Sequence, residues 1–132
     1  MHKSLILLAI ALGGALVAQA AEPDISKLPA PAAKTGVTYA ADIKPIFEKS
    51  CIKCHGAEKQ KAKLRLDSLE ATKKGGSNGA LFEVGKSDKS HLVHSVAHIL
   101  SEDENMPPEG KGDPLTKEQI ALVRAWIDQG AK

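Results

Sequence analysis

Apolar residues are spread unevenly along this chain. Leu5 to Val17 is an almost unbroken apolar run, shorter than the roughly 20 residues a membrane span needs. Residues 21–37 show no apolar period and carry Pro23, Pro29 and Pro31 among several alanines. That composition predicts a flexible leader, with no fixed structure before about Thr38. From Ala41 a helical period sets in. Ile43, Ile46 and Phe47 lie at i, i+3 and i+4, and Pro45 falls in the opening turn, where its missing N–H costs little. This first helix runs straight into Cys51.

Further on, Leu64, Leu66 and Leu69 punctuate a polar stretch, and Asp67 or Ser68 is expected to cap a short helix that stops at Gly75-Gly76. The run from Gly75 to Gly79 reads as a turn, because it lacks the Lys-Ser/Thr ending of a phosphate loop. A third helix is expected over roughly Ser90 to Leu100, capped by Ser87 or Asp88. Leu92, Val96 and Ile99 form its buried face, and His91, His94 and His98 a solvated stripe opposite. An acidic loop from Ser101 to Asn105 then leads into Met106-Pro107-Pro108. The last helix opens with a capping box, Thr116 and Gln119, and closes near Gly130. Ile120, Val123 and Ile127 share its inner face, with Trp126 beside them. No internal repeat or strand pattern is present, so the expected class is all-α, with about four helices.

His2 and Lys3 precede the apolar run and Ala18-Gln19-Ala20 follows it, the pattern of a secretory signal peptide cut before Ala21. The expected organisation is therefore a signal at 1–20, a leader at 21–37 and one small domain at 38–132. An uncleaved anchor is the other use of such a run. The formal charge of the 132 residues is +2, and Lys3 leaves with the signal. A balance so close to neutral argues for neither nucleic acid nor a membrane surface as a partner. Tyr39, Phe47, Phe82 and Trp126 are the only aromatic residues. A domain this small and this poor in aromatics is expected to need a staple in its core.

Cys51-Ile52-Lys53-Cys54-His55 supplies a candidate for that staple. The spacing C-x-x-C-H is that of covalent haem attachment. Two thiols three positions apart reach the two vinyl groups of one porphyrin, and the next histidine is held beneath the iron. Export suits this chemistry, and a disulfide between the cysteines would leave His55 unexplained. Met106 is the only methionine beyond Met1. Its thioether is a soft ligand that favours Fe(II), and Pro107 and Pro108 restrict the loop that carries it.

Other readings use other residues. His91, His94 or His98 is a rival ligand to Met106. Cys51, Cys54, His94 and His98 together have the ligand types of tetrahedral zinc, but the gap between the pairs is far longer than in a zinc finger. A thioredoxin-like pair would need a βαβ pattern, which is missing. A haem enzyme or ligand sensor with an open, peroxidase-like iron site is the leading alternative from another functional class.

The sequence resembles class I cytochrome c domains in Asp42-Ile43-Lys44-Pro45-Ile46-Phe47 followed by the cysteine motif and Gly56. Leu64 to Ser68, Gly75-Gly76, Met106-Pro107-Pro108, Leu115-Thr116 and Trp126 to Ala131 resemble the planctomycete and verrucomicrobial type. The resemblance implies a small cytochrome c fold around one covalently bound haem c, with thioether bonds at Cys51 and Cys54. His55 would be the proximal and Met106 the distal ligand. The first and last helices would meet through Ile43, Phe47, Val123 and Ile127. The expected function is that of a periplasmic electron carrier rather than an enzyme, monomeric, without stable membrane insertion. Its partners would be redox proteins such as an oxidase, reductase or dehydrogenase. Lys53, Lys59, Lys61, Lys63 and Arg65 are either a docking surface for an acidic partner or a solvated charge run.

Overall fold

Four short α-helices joined by turn-rich connections make up the fold in a computed structural model that describes residues 21–132. The expected signal peptide, residues 1–20, lies outside the described residues. The helices are α1 (Lys44–Ser50), α2 (Leu69–Lys74), α3 (His91–Val96) and α4 (Lys117–Asp128). A π-helical turn, Tyr39–Ile43, leads into α1, and single 3₁₀ turns stand at Ile25–Lys27, Lys61–Lys63 and Ser87–Lys89. Among the described residues there is no sheet, only isolated bridges at His55–Gln60 and Gly76–Gly79. The all-α expectation is met.

Local chemistry accounts for most element ends. Thr38 Oγ1 accepts the Ala41 N–H at 3.3 Å, and Pro45 sits in the first turn of α1. Ser68, rather than Asp67, caps α2 by accepting the Ala71 N–H at 3.2 Å. Gly75 closes α2 in a left-handed conformation (φ 77°), where a side chain would run into the carbonyl of Gly79. At α4 the capping box forms in both directions, Gln119 N–H to Thr116 Oγ1 at 3.2 Å and Thr116 N–H to Gln119 Oε1 at 2.8 Å.

The third helix departs from expectation at both ends. Its cap is Ser90, which accepts the Val93 N–H at 3.1 Å, while Ser87 and Asp88 form the preceding 3₁₀ turn. It stops at Val96 rather than reaching Leu100. To continue, the Ser95 carbonyl would have to accept the Ile99 N–H. It accepts the N–H groups of His98 (3.2 Å) and Met106 (3.0 Å) instead. The expected histidine stripe is therefore not formed. His94 is buried, with Nε2–H donating to the Asp88 carbonyl at 2.7 Å, whereas His91 and His98 are exposed and His98 lies beyond the helix.

Ile43, Phe47, Val93, Val123, Trp126 and Ile127 are fully buried in one core, which holds the four residues expected to join the first and last helices, although Ile43 lies in the turn before α1 rather than in the helix. α4 packs against the Tyr39–Ile43 turn, the Ser87–Lys89 turn and α3. All four aromatic rings gather here. Tyr39 lies 6.2 Å from Phe47 and 6.1 Å from Trp126, and Phe82 meets Trp126 edge-on at 5.2 Å.

The leader expected to be flexible is instead laid along α4. The Ala32 N–H donates to the Ala121 carbonyl at 2.9 Å, and the Gln129 side chain bonds both the Lys34 carbonyl (2.7 Å) and the Val37 N–H (3.1 Å). Arg124 donates to the Pro29 carbonyl and, through Nε, to Ser87 Oγ at 3.1 Å. Lys34 pairs with Asp42, and Val37 is buried. A proline-rich segment with no period of its own is held by side chains of α4 and its C-cap, which local pattern cannot reveal. Removal of residues 21–35 should therefore lower the unfolding free energy by about 1–3 kcal/mol, from the loss of several partly exposed hydrogen bonds. Denaturant titration of the full and shortened chains measures it.

Candidate functional site

A cavity of about 650 Å³ opens between the cysteine motif on one side and the Met106-Pro107-Pro108 segment on the other. Leu64, Leu66, Leu81, Leu92 and Val96 line it between these two walls. Its size falls within the range of about 300–1,000 Å³ typical of sites for small molecules and cofactors, and its lining is mostly apolar.

The first wall begins where α1 ends. The N–H groups of Cys51 (2.8 Å) and Ile52 (3.0 Å) both donate to the Phe47 carbonyl, and those of Cys54 (3.1 Å) and His55 (3.0 Å) to the Cys51 carbonyl. The chain then folds back over itself. Gly56 N–H bonds the Lys59 carbonyl (2.8 Å), Lys61 N–H the Cys54 carbonyl (3.0 Å) and Leu66 N–H the His55 carbonyl (2.8 Å). A β-carbon at Gly56 would come within 2.6 Å of the Ile52 carbonyl oxygen, so the turn after the motif needs glycine.

This return loop orients His55. The Lys61 carbonyl lies 3.0 Å from His55 Nδ1 and can only accept, so Nδ1 carries the proton and Nε2 keeps its lone pair. Burial lowers the basicity of the ring, outweighing the opposing effect of the Lys61 carbonyl. A metal-binding imidazole is held in this way, with the outer nitrogen bonded to a carbonyl and the inner one free. Desolvation pushes the Cys51 thiol up to about 12, so it stays protonated at neutral pH and is a poor thiolate donor. The thiols beside an apolar cavity and the oriented imidazole fit a covalently attached haem better than a zinc ion. His94 is committed to Asp88, and among the described residues no group of three His, Cys, Asp or Glu side chains is set to hold a metal ion.

The second wall hangs from the end of α3. Met106 N–H donates to the Ser95 carbonyl, Ser95 Oγ–H donates to the Glu104 carbonyl, and His98 Nε2 lies 3.0 Å from the Met106 carbonyl. Asn105 Oδ1 accepts the Leu100 N–H at 3.1 Å, the Met106–Pro107 peptide is cis, and Pro107 is buried. Ser95 and His98 were missed as holders of this loop, and a serine and a histidine at a helix end carry no sequence signature for it. Of the three rival histidines, only His91 borders the cavity.

Residues 51–110 match the family described as Planctomycete cytochrome C, a span that opens on Cys51 and includes Met106. This match supports a cytochrome c-type domain. No curated protein and no solved structure matches the chain. A cytochrome c-type domain implies haem c, and the two cysteines at 51 and 54 with His55 fit the attachment motif. The return loop after the cysteine motif should be sensitive to its glycine. Gly56→Ala is expected to force Ile52 out of place and to cost about 1–3 kcal/mol of stability, as overpacking typically does. Thermal or denaturant unfolding followed by circular dichroism measures the loss.

Proposed function

We propose that this domain holds one haem through thioether bonds at Cys51 and Cys54, with His55 and Met106 as its axial ligands, and carries single electrons between redox proteins of the periplasm. The observation that carries the reading is the cavity, which gathers the cysteine pair, His55 and Met106 from distant parts of the chain around one apolar space. The bound haem supplies a one-electron iron couple. Everything else is the work of the chain. The Lys61 carbonyl orients His55 so that Nε2 faces its task without a proton. Met106 offers a soft sulfur that favours the reduced metal and raises the reduction potential. Ser95 and buried Pro107 restrain the loop that brings this sulfur in, and the leucine walls supply an apolar lining. A site that keeps both ligands through the cycle rearranges little, which suits a carrier better than an enzyme with an open metal position.

Export rests on the expected signal peptide. No helix of the described residues is long and apolar enough to cross a membrane. The basic segment offers a docking face. Lys53 borders the cavity, and Lys53, Lys59, Lys61 and Lys63 are exposed, whereas Arg65 is forked onto Asp67 at 2.9 and 2.6 Å. These four exposed cations, one of them at the cavity, would steer an acidic redox partner.

Intact mass under denaturing conditions should show the polypeptide plus one haem; a polypeptide without haem would overturn the proposal. Met106→Ala should lower the reduction potential by on the order of 0.1 V or more, within the range of about 0.8 V that axial ligands govern. It should also let carbon monoxide bind readily. His91→Ala should leave visible spectrum and potential nearly unchanged. A changed spectrum in His91→Ala, with none in Met106→Ala, would make the site bis-histidine.

Docking has its own test. Electron transfer to an acidic partner should slow as ionic strength rises, and the triple change Lys59→Glu, Lys61→Glu, Lys63→Glu should slow it further at low salt. Stopped-flow rates insensitive to both would leave the segment a solvated charge run.

A further inference from the structure

The end of α3 departs from what its sequence favours. Beyond Ala97 the chain turns through His98 in a left-handed conformation (φ 55°), at a helix end where glycine is the usual occupant. A residue with a β-carbon is strained there, and such strain persists only where the surroundings hold it. What His98 gains is reach. Its Nε2 lies 3.0 Å from the Met106 carbonyl, and because that oxygen can only accept, Nε2–H is the donor. The same stretch of chain takes the other side of the methionine, since the Ser95 carbonyl accepts the Met106 N–H at 3.0 Å. The backbone of one residue is thus gripped at both its N–H and its C=O by groups four residues or fewer from the helix terminus. His91 and His94 have no part in this, one lying exposed at the cavity and the other bonded to Asp88.

We infer that His98 is a positioning residue for the distal side of the site: its Nε2–H bond to the Met106 carbonyl holds the methionine loop closed and slows displacement of the sulfur by outside ligands. The inference rests on Met106 being the distal ligand. Glycine at position 98 would suit the backbone but lose the donor, so the two roles of the residue come apart in a substitution. Asparagine tolerates the left-handed conformation, and glutamine has the longer reach and an N–H to offer.

The test uses the haem-loaded full chain and four variants, Met106→Ala, His98→Gly, His98→Asn and His98→Gln. Each is followed by the red charge-transfer band of the oxidised form, by the rate at which added imidazole replaces the native ligand, and by denaturant unfolding. His98→Gly should keep the stability of the parent or exceed it, yet weaken the band and speed imidazole entry by about three- to tenfold, the effect of one solvent-accessible hydrogen bond. At least one of the two amide variants should return the rate toward that of the parent. If His98→Gly leaves band and imidazole rate within twofold of the parent while Met106→Ala abolishes the band, His98 has no positioning role and the distal assignment stands. If Met106→Ala leaves the band in place, the distal assignment falls and the role of His98 falls with it.

Discussion

The site depends on the way residues 51–66 fold back on themselves. The Leu66 N–H reaches the His55 carbonyl, the Lys61 N–H reaches that of Cys54, and the Lys61 carbonyl closes on the His55 ring. Two residues in this return, Ala62 and Lys63, take left-handed backbone conformations without being glycine. The surroundings hold them. The Ala62 carbonyl accepts from both the N–H (2.8 Å) and the hydroxyl (2.9 Å) of Ser77, which docks the glycine turn onto the loop. Without this closure His55 would rotate freely, and Leu64 and Leu66 would not stand as a wall of the cavity.

The apolar material of the domain is divided between two places. One is the aromatic cluster of Tyr39, Phe47, Phe82 and Trp126, where the turn before α1 meets α4. The other is the aliphatic wall of the cavity, which none of these four rings borders. Leu66 joins the two, since it lines the cavity while its carbonyl accepts the buried Tyr39 hydroxyl at 2.7 Å. Scarcity of aromatics thus does not spread evenly through a cofactor-centred core. It leaves a small solid core on one side and a cavity wall of leucine and valine on the other.

Helix α3 serves both. Val93 is fully buried in the solid core, Leu92 and Val96 face the cavity, and its end carries the methionine loop. Its brevity is what allows this, because the Ser95 carbonyl that one more turn would have used is free to take Met106. The clasp of the N-terminal segment on α4 works by the same means, with Arg124 and Gln129 meeting backbone groups that have no partner within their own segment.

The helical class, the attachment motif, the caps at Ser68 and Thr116 and the buried stripe of α4 were all legible in the sequence, because each is set by residues within one or two turns of one another. The same holds for the link between Cys51 and the helix before it. Tertiary structure alone decided the rest. The segment 21–37 has no period to read and is ordered by side chains nearly a hundred positions away. The end of α3 was set by a competing N–H from Met106, which a helical period over Leu92, Val96 and Ile99 cannot register. The histidines sorted for the same reason, His94 inward to Asp88, His91 to the cavity and His98 to the methionine loop. Local pattern determines what a segment can form by itself. Where a backbone group has two possible partners, the distant one is visible only once the chain is folded.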